Sequence, residues 1–252
     1  MGVIVKGSLL ERLRRKELYI IFAIGVLMIL MTCTGNASIS VSGQNLVGFR
    51  NKLMIFQILI NAFSCLLSVV LSMHTIPNEY ERRNSHLVWI RGISQRKYHG
   101  SLCIANCIVN LIVLFVFYCM LAVFLVMNGN AAMLVRMIPA YLFTALNIVF
   151  VCVLTSAVSI KVPVFVTGLV GIFCVVAGVF YPLFSLMKNV LGGLGGKLIG
   201  GALKVIPNLH GVQNQAYRYL LGEEILIRKI IGVVVAIYVV TWAIMVWKRE
   251  EA

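Results

Sequence analysis

The sequence predicts an all-α integral membrane protein. It has six transmembrane helices, an N-terminal amphipathic helix in the membrane interface, and an outer re-entrant helical hairpin between spans five and six. Three observations lead there. Of 252 residues, 61% are hydrophobic and only 12% charged, whereas an average soluble domain carries about 25% charged residues. The apolar residues come in blocks of about 20, the length that crosses a bilayer as a helix. They do not come as short alternating strands, which argues against a barrel. The Lys and Arg residues, 22 against 8 acidic ones, gather between the blocks, where basic residues set topology and meet anionic headgroups. The chain reads as one transmembrane domain over residues 1–252.

Residues 2–17, GVIVKGSLLERLRRKE, form the interfacial helix. Val5, Leu9 and Leu13 share a face with Leu10 beside them, while Arg12, Arg14, Arg15 and Lys16 lie elsewhere, so the cations can rest on anionic lipid. A signal peptide also begins with a basic stretch. Here Glu11 and Glu17 interrupt that stretch, and the small residues at 35–38 follow an apolar run already close to a full span. In Leu30-Met31-Thr32-Cys33, Thr32 is the wrong residue for lipoprotein cleavage.

Span one is placed at 18–34 and span two at 53–76, ending at Pro77. Span three covers 102–127 and turns at Asn128-Gly129-Asn130. Span four covers 138–160, Lys161-Val162-Pro163 breaks it, and span five continues to Met187. Span six is placed at 230–247. The densest basic clusters flank spans one and three, and Lys248 and Arg249 follow span six. By the positive-inside rule both termini and residues 77–100 face the cytosol.

Residues 188–229 are too apolar for a solvated loop and too short and glycine-broken for two spans. Leu191, Leu194 and Leu198 recur at helical spacing, Gly192, Gly196 and Gly200 form a small-xxx-small ridge, and a second helix is expected over 213–221. A re-entrant or interfacial hairpin fits; one extra span would move the C-terminus outside.

The spans lack the groups that catalysis or ion coupling needs. Every acidic residue is a glutamate, and none lies near the middle of a span. Proton- and ion-coupled transporters place ionisable groups there. No HExxH, GxSxG or phosphate-binding glycine loop is present, and Ser156 and Ser159 have no histidine at matching depth. Without a Walker motif the chain does not hydrolyse ATP. Nucleic-acid binding is disfavoured because no basic stripe is interleaved with exposed aromatics. The seven cysteines form no CxxC. Cys103 and Cys107 are one turn apart without a His or carboxylate at ligand spacing, so all read as packing residues and no metal or cofactor is assigned to this chain. A polar stripe does stand out. Gln57, Asn61, Ser64, Ser68 and Ser72 are spaced 4, 3, 4 and 4 along span two. It serves either as interhelical hydrogen bonding or as the lining of a translocation path between two copies of the chain.

The segment 77–100, PNEYERRNSHLVWIRGISQRKYHG, is a dense polar island between apolar runs. Span two ends at Ile76-Pro77, Glu79 and Glu81 follow, and Gly92-Ile93-Ser94 with Arg96 and Tyr98 leads into span three. This arrangement resembles the permeases of ATP-binding-cassette exporters of the type-2 class. There an E-x-E/R element forms the coupling helix and an I/V-S-R/K-x-x-Y element starts the third span. Here Gln95 separates Ser94 from Arg96, a departure from that pattern. The resemblance covers nearly the whole chain and is greatest to bacterial peptide exporters such as the phenol-soluble-modulin exporter. It implies export driven by a separate ATPase subunit that holds the ATP and Mg, and a second permease copy or homologue completing the path. It also implies a coupling surface of Glu79, Tyr80, Glu81, Arg82, Arg83, Asn84, His86, Leu87, Trp89 and Arg91. The cargo class implied is amphipathic peptides, with lipids or drugs as alternatives. A membrane scaffold or sensor whose charged loop binds a signalling partner remains the other class; a lipid-modifying enzyme is disfavoured by the missing carboxylates.

Overall fold

The computed structural model describes residues 2–13, 19, 22–23, 25–27, 40–41, 44–45, 48–81, 90 and 92–248. The described part is a helical bundle. Its elements are α1 (Gly2–Leu13), α2 (Phe49–Met73), α3 (Thr75–Glu81), α4 (Gln95–Met127), α5 (Met137–Lys161), α6 (Val164–Val179), α7 (Tyr181–Leu191), α8 (Gly193–Val205), α9 (Leu209–Leu221) and α10 (Ile227–Val246). Ser40–Val41 (β1) pairs antiparallel with Gln44–Asn45 (β2) as a two-residue hairpin.

Among the described residues four stretches are long and apolar enough to cross a membrane, Phe49–Glu81, Gln95–Met127, Ala131–Lys161 and Ile227–Val246, and the bent pair Val164–Val179 with Tyr181–Leu191 makes a fifth if it counts as one span. The four correspond to the expected spans two, three, four and six. Most of span one, 18–34, lies outside the described residues. Its described part, 19, 22–23 and 25–27, is helical, and Phe22 stacks on Phe117 with ring centroids 5.5 Å apart.

Three boundaries differ from expectation, each for a local reason. Helix continues past Pro77 to Glu81 because the chain turns at His74 and restarts. Pro77 then falls in a first turn, where its missing N–H costs nothing, and regular bonding resumes with Asn78 N–H to the His74 carbonyl at 3.2 Å. The helix of span five does not run straight to Met187. It stops at Val179, and α7 leaves at 85° to α6. Pro182, in the first turn of α7, accommodates that corner. The second helix of the 188–229 segment starts at Leu209 rather than at 213, capped by Asn208, whose side chain accepts a bond from Gly211 N–H at 2.7 Å.

The glycine ridge is also revised. Gly192 has φ +51° and ends α7, so it is not on a helical face. Gly196 and Gly200 do face α7: a Cβ on Gly196 would lie 2.8 Å from the Lys188 carbonyl oxygen. α8 thereby folds back closely on α7.

The core lies between α2, α4, α5 and α9, around Phe56, Ile60, Phe117, Leu121 and Ile148. Leu209, Val212, Ala216 and Leu220, at helical spacing, turn one face of α9 into that core. α6 lies tight against the core through its glycines. A Cβ on Gly171 would come within 2.7 Å of Val69 Cγ1, and one on Gly178 within 2.6 Å of Leu209 Cγ. Close backbone approach of this kind is how helices associate where lipid removes the hydrophobic drive. The outer faces of α4, α6 and α10 expose Phe115, Leu169, Phe173, Tyr238 and Trp242, an apolar band suited to hydrocarbon rather than water.

Gly178→Ala therefore overpacks the α6–α9 contact, with an expected cost of about 1–3 kcal/mol. Gly232→Ala on α10, where an added Cβ meets nothing within 4 Å, is expected to be neutral or stabilising. Thermal unfolding of both variants in one detergent distinguishes them; equal melting temperatures would refute the tight contact.

Candidate functional site

The two ends of the 77–100 segment are fastened to each other where α3 meets the start of α4. Tyr98 donates its hydroxyl proton to Glu79 Oε2 at 2.6 Å, and the Tyr80 hydroxyl pairs with His99 Nε2 at 2.9 Å. Consecutive residues on one helix thus bond consecutive residues on the other. Tyr98 and His99 are buried, and beneath them Ile76, Leu102, Ala157 and Ile160 form a separate apolar cluster on which Tyr80 and Ile4 pack. A phenol–carboxylate bond is charge-assisted, worth more than a neutral one. The clamp thus couples the tip of α3 to the long helix α4.

Glu81 is exposed and, with Pro77, Lys161 and Pro163, lines a cleft of about 610 Å³ between α3 and the α5–α6 junction. Ile90 is exposed, Gly92 takes a left-handed turn at φ +72°, and α4 begins at Gln95. The other expected coupling residues, Arg82, Arg83, Asn84, His86, Leu87, Trp89 and Arg91, lie outside the described residues.

The five-residue stripe on α2 is turned into the protomer, and all five side chains are buried. Gln57 Nε2 donates to the Tyr118 hydroxyl at 2.8 Å and to Thr144 Oγ1 at 3.0 Å. Asn61 Nδ2 donates to Gln213 Oε1 at 3.2 Å, and its Oδ1 accepts from Asn147 Nδ2 at 3.1 Å. Asn147 also donates to the Leu209 carbonyl at 2.9 Å. Ser68 reaches the Ile148 carbonyl at 3.4 Å and Ser72 the Cys152 sulfur at 3.3 Å, whereas Ser64 Oγ finds no partner among the described residues. Of the two roles open from sequence, this arrangement matches interhelical hydrogen bonding. In this conformation α5 and α9 close over residues that a path between two copies would have to expose.

Several participants had no local signal in the sequence. Tyr118 on α4 and Gln213 on α9 stand among other polar residues of their helices, and nothing in the sequence singles them out. In the sequence Tyr98 stands out only as a motif position, and nothing there singles out His99. The cysteines, read as a pair, are a trio: the sulfurs of Cys103, Cys107 and Cys152 lie within 4.8 Å of one another. No protein-family model and no curated protein matches this chain.

Two measurements test this geometry. Tyr98→Phe removes the hydroxyl that donates to Glu79, an expected loss of about 1.5–3 kcal/mol for a bond to a charged group. Hydrogen exchange over residues 75–100 should rise accordingly, and unchanged exchange would mean the clamp restrains nothing. Asn147→Leu removes two bonds, each worth about 0.6–2 kcal/mol in a membrane. It should therefore lower the melting temperature more than Ser64→Ala, which removes none.

Proposed function

We propose that this chain is the membrane-spanning subunit of an ATP-driven exporter of the type-2 class. It pairs with a second permease copy or homologue and is driven by a separate ATPase subunit that docks on residues 77–100. The observation that carries the reading is the double clamp of Glu79 with Tyr98 and Tyr80 with His99. A docking element transmits force only if it is mounted rigidly. A loop tethered by flexible ends would absorb the motion of its partner, whereas a tip bonded to α4 and continuous with α2 passes it to two long apolar helices. Glu81, directed outward beside these pairs, offers charge to a soluble partner, and Trp89 with the neighbouring arginines supplies anchor types common at interfaces.

Six spans, with both termini in the cytosol of a bacterial cell, complete the proposed topology. α1 is the interfacial helix. α6 is span five, and residues 188–229, which include α8 and α9, form the re-entrant outer segment: Leu209, where α9 begins, is bonded ten residues into α5 rather than at its end. Amphipathic peptides are the proposed cargo, since the class without a large outer domain exports them; lipids and drugs are the alternatives.

The test is co-expression of the full chain with a candidate Walker-motif ATPase, sought first among genes adjacent to its own. Co-purification and peptide-stimulated ATP turnover are expected, both reduced about tenfold or more by a combined Glu79→Gln, Glu81→Gln and Trp89→Ala variant, since interface anchors cost upwards of 2 kcal/mol each. Undiminished docking and turnover in a variant that remains folded would sink the proposal. Retention of a soluble partner without ATP turnover would favour a scaffold or sensor.

A further inference from the structure

Three thiols converge between α4 and α5. Cys103 and Cys107 are one turn apart on α4, and Cys152 faces them from α5. All three sulfurs lie within 4.8 Å of one another, and Cys107 Sγ is 3.4 Å from Cys152 Sγ. None of the three is in a disulfide. Packing explains why cysteines are buried in a membrane helix, but it does not require three sulfurs to point at one spot. Three sulfurs around an ion at about 2.3 Å, the metal–thiolate length typical of zinc sites, stand about 4.0 Å apart. The observed trio reaches that geometry with shifts of less than an ångström.

The surroundings suit an ion. Cys103 and Cys107 open on a cavity of about 520 Å³ whose walls also carry Arg96, Lys97 and Met245. The cavity provides access, and the two cations on its wall add positive charge on that side. On the far side, the Ser72 hydroxyl donates to Cys152 Sγ at 3.3 Å. Ser156, one turn beyond Cys152, is fully buried, and its hydroxyl finds no hydrogen-bond partner among the described residues. A cluster of sulfur donors without histidine or carboxylate disfavours hard ions. Zinc sites are closed by a fourth ligand, and this cluster supplies three.

We propose that Cys103, Cys107 and Cys152 bind one soft monovalent cation, Cu(I), through three sulfurs. Two thiols lose their protons to water and the third binds as the neutral thiol, so a singly charged cation becomes a complex of net charge −1 beside Arg96 and Lys97. No electron is transferred. The proposal is independent of the exporter reading.

The test uses the full-length chain, reduced and under anaerobic conditions in detergent, titrated with Cu(I) against a chromogenic Cu(I) chelator. One tightly held Cu(I) per chain is expected. Cys103→Ser, Cys107→Ser and Cys152→Ser should each weaken it by about 100-fold or more, beyond the loss typical of removing a group outside the ligand shell. Cys65→Ser, Cys119→Ser and Cys174→Ser should leave it unchanged. X-ray absorption on the wild-type protein needs no variant to fold, and three sulfur neighbours are the expected result. Nitrogen or oxygen neighbours, two sulfurs only, equal losses in the control variants, or retention of Zn(II) in preference to Cu(I) would each overturn the assignment.

Discussion

A lipid interior supplies no hydrogen-bond partners, so each amide placed on a spanning helix has to be answered from within the chain. On α2 the amides of Gln57 and Asn61 are answered by Tyr118 and Thr144 on one side and by Asn147 and Gln213 on the other. These few bonds hold the register of α2 against α5, because a shift of one residue would break the bond between Asn61 and Asn147. They also explain why α9, polar enough to sit in water, is held in the bundle instead: Gln213 is needed where Asn61 is. The glycine contacts of α6 then close the same side, with Gly178 admitting Leu209 at the point where α9 begins.

This constraint separates two kinds of surface. The polar stripe is inward, and its amide nitrogens are bonded across to other helices. The outer faces of α4, α6 and α10 are apolar and exposed among the described residues. α10 is the extreme case, with only Val233 and Ile244 buried. The functional chemistry proposed for this molecule accordingly gathers at the end of the bundle where α3, the start of α4 and the α5–α6 junction meet.

The spanning helices were readable because a run of about 20 apolar residues has few other folds open to it. Local chemistry was readable where a residue acts on its own neighbours, as Asn128-Gly129-Asn130 and Pro163 do at helix ends. The corner at Phe180 was missed although Pro182 marked it, because the apolar run continues through it without a polar break. The start of α9 was missed because Asn208, a good helix cap, follows Pro207 and read as loop. The clamp could not be deduced: Glu79 and Tyr98 each belong to a recognisable element, but their pairing depends on how α3 docks on α4. The thiol trio failed for the same reason, since Cys152 stands 45 residues beyond Cys107 in the chain. Residues 82–89 carry most of the sequence argument for docking and lie outside what the structure describes.

The pairing of Asn61 with Gln213 joins residues 152 apart in sequence. During synthesis α2, α4, α5 and α6 leave the ribosome long before α9. Asn147 can answer one side of the Asn61 amide early, but the other side, and the second proton of Asn147, wait for residues 209–213. Until residues 209–213 are in place, Asn61 and Asn147 each lack one of the partners they have in the folded bundle. The polar seam between α2 and α5 is thus completed from a helix far along the chain, so its order depends on contacts of the longest sequence separation.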